Sequence, residues 1–362
     1  MGTTTAGPGA PAAGGGARRM AWIGVLAVVL LAFAASAAPA TPAAAQAAPA
    51  PDPAPPPTVA VEPAAATAAA PPARSRLVIH GTGDVNLDPQ YIPALRTNGY
   101  AHAWSGLDGL FATDDLTVVN LECPVSDRGD LVPKEFNFRC DPAALPAARD
   151  AGVEVVNLAN NHVGDYGPEA MLDSVGHARA AGIAPVGVGP DAVAANAPAI
   201  IERGGWRIAV LGFGGVVPAA DWLAGPTRPG MADGDDIPSM TAAVRAAAAQ
   251  ADLVFVSIHW GAELDTEPRA EDVARAEAMI DAGADGIFGH HAHRLQPLGS
   301  HAGRPIAWGL GNFVWPNFSA AGSRTAVAQF VVEPDGSVRG CLLPAEITSP
   351  GRPVLTGART CP

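Results

Sequence analysis

Apolar and polar positions follow one another along this chain in short blocks. Runs rich in β-branched and aromatic residues, bounded by Gly, Pro, Asp and Asn, predict strands over 74–82, 116–121, 153–158, 183–188, 207–213, 253–259, 285–288, 306–310, 326–332 and 338–343. Between several of them lie Ala-rich segments with helical spacing, at 142–151, 168–181, 238–251 and 268–282. The last has Thr266 as its expected N-cap and Gly283 where a left-handed C′ residue belongs. Such alternation predicts an α/β domain with a largely parallel sheet. The later strands lack long intervening helices, which predicts antiparallel hairpins.

What stands at the strand ends changes the picture. Asp84 follows Leu77-Val78-Ile79-His80-Gly81-Thr82-Gly83, and Asn120-Leu121-Glu122 closes Leu116-Thr117-Val118-Val119. Asn160-Asn161-His162 follows Val155-Val156-Asn157-Leu158-Ala159, and His259 ends the run from Leu253. Gly289-His290-His291-Ala292-His293 directly follows Ile287-Phe288. In open α/β sheets ligands bind beyond the carboxyl ends of the strands. Neutral imidazole is the commonest protein ligand for a transition metal, so these positions are candidate metal ligands. The bland alternatives are a solvated histidine cluster or satisfied core residues; the latter suits His80, His102, His177 and His301, but not His259, His291 and His293 together.

Composition bounds the rest. The net charge of −13, with no basic stripe, argues against nucleic acid. No glycine pattern fits a dinucleotide. Arg18-Arg19 precede an apolar stretch at 20–35, followed by small residues with A-x-A sites, so residues 1–47 read as a signal peptide or an uncleaved N-terminal membrane anchor. The expectation is therefore an exported protein, secreted or tethered. Residues 48–75 are an Ala- and Pro-rich linker, 76–347 a folded domain, and 348–362 a C-terminal tail. Four cysteines in an exported chain suggest two disulfides, and proximity in sequence favours Cys123 with Cys140 and Cys341 with Cys361. Lys134 is the sole lysine.

Six ordered motifs carry a resemblance. Gly83-Asp84-Val85-Asn86-Leu87, Asn120-Leu121-Glu122, Asn157-Leu158-Ala159-Asn160-Asn161-His162 with Asp165-Tyr166-Gly167, His259-Trp260-Gly261 with Glu263, Gly289-His290-His291-Ala292-His293 with Gln296, and Leu310-Gly311-Asn312-Phe313 resemble the bacterial capsule synthesis proteins of the CapA type, associated with poly-γ-glutamate capsules. That family is in turn similar to the calcineurin-like metallophosphoesterases. The implied fold is a sandwich of two mixed β-sheets flanked by helices, with a two-metal site at the strand ends. By motif, Asp84 binds the first metal and Glu122 bridges; Asn161, His259 and His291 bind the second; His293 returns to the first; and His162 stands as general acid, oriented by Asp165. The mixed O and N ligand set suits Mn, Fe or Zn. Lys134, Arg139 and Glu263 are candidates for substrate binding. One departure matters: where the superfamily reads Asp-x-His, this chain has Asn86, which weakens the first site unless Asp88, Asp165 or Glu263 compensates.

Two functions follow from the resemblance. One is a metal-dependent hydrolase acting on a phosphoester or amide of an anionic cell-surface polymer. The other is a non-catalytic polymer-binding or export subunit of a membrane synthase complex.

Overall fold

The computed structural model describes residues 73–358. The proposed leader, most of the linker and the Cys341–Cys361 pairing involve residues outside these. In chain order the first strands are β1 (Leu77–Val85), β2 (Leu116–Leu121), β3 (Val155–Asn157), β4 (Ala184–Val186), β5 (Val188–Gly189), β6 (Ala199–Arg203), β7 (Trp206–Gly214) and β8 (Gly230–Met231). They are followed by β9 (Leu253–His259), β10 (Gly286–His290), β11 (Leu298–His301), β12 (Arg304–Ala307), β13 (Asn312–Val314), β14 (Arg324–Val332), β15 (Val338–Ser349) and β16 (Arg352–Leu355).

These strands build two mixed sheets rather than one largely parallel sheet. The first has the order β16-β15-β14-β1-β2-β3-β4, with β13 also beside β1; the second runs β11-β12-β10-β9-β7-β6. Parallel pairing is confined to two blocks, β1 to β4 and β7, β9, β10 and β12, and β13 runs parallel to β1. Antiparallel partners flank the first block on its β1 side and the second block on both edges, including the expected late hairpins. β5 and β8 form a separate two-stranded ladder.

A chain of this length can bury both faces of each sheet, and the apolar residues divide accordingly. Ile79, Val118 and Phe330 of the first sheet meet Val210, Phe255 and Phe288 of the second in one inner cluster. At Gly81 a Cβ would lie 2.2 Å from the Phe288 ring, so only glycine admits this approach. A second cluster joins the outer face of the first sheet to the helix Gly167–Ala180. A third joins the second sheet to the helices Ile237–Ala248 and Ala270–Asp281. Two sheets face to face with helices outside match the architecture implied by the resemblance.

Two sequence expectations change. The helix expected at 268–282 runs Ala270–Asp281 with Arg269, not Thr266, as N-cap, because Pro268 disfavours a helical residue before it, and the Asp272 carboxylate accepts the Arg269 N–H. The segment 348–358 is also no tail: Arg352–Leu355 pairs antiparallel with β15. A short strand broken by Pro353 carries little periodic signal.

Candidate metal centre

Parallel register brings the carboxyl ends of both blocks to one level. Asp84 pairs with Asn120, Asn120 with Asn157, and His290 with His259. The chemical residues leave the sheets together: Asp84 in β1, Glu122 just past β2, Asn161 and His162 in the loop after β3, His259 at the end of β9, and His291 and His293 just past β10. His291 and His293 have φ values of 87° and 51°, a region that non-glycine residues rarely occupy. Such strain persists where the surroundings fix it, and it commonly marks functional loops.

Two ligand groups share one carboxylate. Glu122, His259 and His291 offer donor atoms all within 4.8 Å of one another, as do Asp84, Glu122 and His293. His259 Nε2 lies 2.9 Å from Asn161 Oδ1 and 3.6 Å from Glu122 Oε1. Bonds of about 2.0–2.2 Å to a single ion hold neighbouring donor atoms roughly 3–3.6 Å apart, so these spacings fit one shared ion. His293 Nδ1 stands 3.1 Å from Asp84 Oδ2, and its Nε2 3.7 Å from Glu122 Oε1. Both Glu122 oxygens are buried without a hydrogen-bond partner, as is His291 Nδ1. Buried acceptors left bare in this way are costly unless an ion or water meets them. The residues present therefore fit a metal site, with Glu122 common to both groups of candidate ligands.

The electrostatics agree. Burial works to raise the Asp84 carboxyl, but its hydrogen bond to His293 and the fields of His293, His290 and His291 outweigh that and hold it below its usual range. Glu122 goes the other way: burial, reinforced by Asp84, pushes its carboxyl well up. Burial takes His259 well below its ordinary value, helped by His291, His290 and His293. It takes His290 and His291 down to about 4. Metal ligation needs neutral imidazoles and ionised carboxylates; the downward shifts of His259 and His291 favour that state, while the upward shift of Glu122 opposes it until a cation is present.

Outside the ligands sit groups that orient them. Asn120 Nδ2 lies 2.9 Å from Asp84 Oδ1 and 3.2 Å from His259 Nδ1, tying the two sheets together. His290 takes no ligand position; its Nε2 lies 2.9 Å from Ser257 Oγ behind the centre. Asn86 does not replace the missing imidazole, since its Oδ1 accepts the Asp88 N–H. Nor does Asp88 compensate, because its carboxylate accepts the backbone N–H groups of Arg139, Gln90 and Tyr91. Among the described residues, the candidate group Asp84, Glu122 and His293 thus gains no ligand from Asn86 or Asp88.

His162 Nδ1 lies 2.7 Å from Asp165 Oδ2 and 3.1 Å from Lys134 Nζ; the shorter contact, to a carboxylate that only accepts, favours the proton on Nδ1 and leaves Nε2 as the atom without a partner here. The Phe138 N–H and Lys134 Nζ also hold Asp165. Burial lowers the His162 pKa, and the hydrogen bond to Asp165 offsets part of that. Lys134 is therefore a member of this triad rather than a free cation facing solvent. Arg139 is turned elsewhere: its guanidinium stacks 3.5 Å over Tyr166 and donates to the carbonyls of Arg128 and Gly129, so it is not placed to bind a substrate.

A cleft of about 310 Å³ opens beside the centre, lined by His162, His293 and Glu263 with Tyr91, Phe136, Trp315 and Phe318. Glu263 belongs to this lining and is exposed there. Arg294, Asn312, Ser319 and Gly322 line the same cleft. Sequence reading missed Arg294 and Ser319 because neither follows an apolar run. A disulfide joins Cys123, next to Glu122, to Cys140, as proximity in sequence suggested.

Comparison with known proteins finds relatives of this chain. Residues 78–317 match the family described as bacterial capsule synthesis protein PGA_cap. The chain is 30% identical over 271 residues to the PGA biosynthesis protein CapA of Bacillus subtilis, covering 73% of this chain and 70% of that protein. It is 28% identical over 290 residues to the capsule biosynthesis protein CapA of Bacillus anthracis, covering 78% and 70%. A probable polyglutamine synthesis accessory protein of Mycobacterium tuberculosis is 33% identical over 211 residues, 55% of each chain. Among solved structures, the sulfate thiohydrolase SoxB of Thermus thermophilus superposes with a TM-score of 0.44 and 14% identity over 74% of this chain and 56% of that one.

Proposed function

Because the chain belongs to the bacterial capsule synthesis protein family PGA_cap, we propose that it is an exported, metal-dependent hydrolase acting on an anionic polymer of capsule or poly-γ-glutamate biosynthesis. The observation that carries this reading is the pair of ligand groups sharing the bare, buried Glu122, with His162 and an open cleft beside them. A buried disulfide supports an oxidising compartment, hence export.

A divalent metal pair bound here would supply hydroxide near neutral pH and polarise the oxygens of the scissile group. The chain supplies the rest. Asp84 and Glu122 bring the negative charge that balances the ions, and Asn120 fixes the orientation of Asp84 and His259. Asp165 holds the His162 ring so that Nε2 is the atom moving a proton to or from the leaving group, a role worth about 10²–10⁴ in rate. Lys134 keeps Asp165 in place through their ion pair of 2.5 Å.

Incubation of the manganese-loaded full chain with γ-linked polyglutamate and with a phosphodiester tests the reading. The expected result is cleavage of at least one, abolished by chelator and cut at least a hundredfold in His162→Ala with metal retained. Polymer binding without turnover of either substrate would favour the alternative, a non-catalytic polymer-handling subunit. That reading draws support from Asn86, which stands where the family's superfamily has an imidazole and leaves Asp84, Glu122 and His293 as the first site's candidate ligands among the described residues.

A further inference from the structure

We propose that Arg294, Asn312 and Ser319 form a carboxylate-binding subsite in the cleft, selecting substrates that carry an acidic group one step away from the scissile bond. The proposal rests on the hydrolase reading for the position of that bond, and on the cleft itself for the rest.

Three donors converge around one bare α-carbon. A Cβ added at Gly322 would lie 3.1 Å from Ser319 Oγ and 3.5 Å from both Arg294 Nη1 and Asn312 Nδ2. Each donor keeps a hydrogen to give. Arg294 Nη1 donates to the neighbouring His293 carbonyl at 2.7 Å, which fixes the guanidinium and leaves its other N–H groups unassigned. No ion pair to Arg294 occurs among the described residues. Asn312 Nδ2 spends one hydrogen on the Gly322 carbonyl. Ser319 Oγ accepts the Gly322 N–H, so its hydroxyl hydrogen is free to turn toward the cleft.

Asn312 adds an independent sign of a ligand. It is 5% exposed, and its Oδ1 is buried without a partner. A substrate amide N–H is the donor that this oxygen lacks. A carboxylate on the guanidinium and an amide N–H on Asn312 together describe an acidic residue within an amide chain. The exposed rings of Phe136 and Phe318 on the cleft wall suit its methylene segments. His293, a proposed ligand, adjoins Arg294 in sequence, so the anion would be held beside the centre rather than on it.

Calorimetric titration of the manganese-loaded full chain tests this with two probes, a γ-linked glutamate pentamer and the same pentamer with its side carboxylates amidated. The wild type is expected to bind the acidic pentamer roughly tenfold or more tightly than the amidated one. Arg294→Gln should erase that preference and Arg294→Lys restore part of it. Gly322→Ala, which places a methyl among the donors without removing charge, should weaken the acidic pentamer by a similar factor. Equal binding of both probes by the wild type, no binding of either, or a preference that survives Arg294→Gln overturns the subsite. Loss of hydrolysis with this binding pattern intact would defeat the hydrolase reading and leave the subsite standing.

Discussion

Replacing Glu122 by Gln should stabilise the metal-free protein while destroying its response to metal. The carboxylate is fully buried, neither oxygen has a hydrogen-bond partner, and the charge acting on it most is Asp84, with ligand atoms within 4.8 Å. At that separation two unit charges repel by roughly 3 kcal/mol at an effective dielectric of ~20. An amide of the same shape removes the repulsion and part of the desolvation cost, so a gain of about 1–3 kcal/mol is expected for the chelated variant near pH 7.5. The sign fixes the pH dependence. Burial raises the folded-state pKa of Glu122, so its contribution is fully present below the ordinary value of 4.5 and is lost as pH rises through the raised one. The advantage of Glu122→Gln should accordingly be small near pH 4.5 and grow with pH. Metal reverses the order: the wild type gains about 2.7 kcal/mol at a hundredfold excess over its dissociation constant, and the variant gains little. Urea denaturation of both proteins, with chelator and with manganese, reads all four values. A chelated variant less stable than chelated wild type, or equal stabilisation of both by manganese, would refute the reasoning.

Three further outcomes follow from the same geometry. Asp165→Asn should lower kcat by one to two orders of magnitude, within the range for a proton-transferring group, while metal content measured by elemental analysis stays unchanged, because the hydrogen bond that fixes the His162 tautomer is lost. Stability of the chelated protein should fall as pH drops from about 6.5 toward 4, since burial depresses the pKa of His290 and His291 to about 4 and each imidazole takes up a proton more readily once unfolded; circular dichroism against pH follows it. Cys123→Ser with Cys140→Ser should cost about 3 kcal/mol, the expectation for a closed loop near 15 residues, given a sequence separation of 17, and urea midpoints would show it.

Much of the centre was legible because its residues sit where periodicity breaks. Five apolar strands, β1, β2, β3, β9 and β10, lead to a candidate ligand, and a pattern of period two or continuous burial makes their ends visible. Periodicity thus marked the strand ends as candidates, the resemblance narrowed them to Asp84, Glu122, Asn161, His259, His291 and His293, and the structure brings these together around Glu122. Partition into two sheets was not legible from the strands themselves, since whether β7 follows β4 in one sheet or opens another depends on contacts between distant residues such as Ile79 and Phe255. The role of Lys134 was half visible: its position stood out, but its partner Asp165 had been assigned to His162 alone. Arg139 was misplaced because a guanidinium near a motif can as readily cap local carbonyls and stack on Tyr166. The cleft wall escaped notice because Tyr91, Phe136 and Phe318 come from three loops far apart in sequence.

The most direct test is the metal content of the full chain after saturation with manganese and desalting, measured beside His291→Ala and His293→Ala. Two ions per chain in the wild type and one in each variant is the predicted result. Unchanged content in both variants, or a wild type that retains no metal, would contradict the assignment of these residues as a two-metal centre.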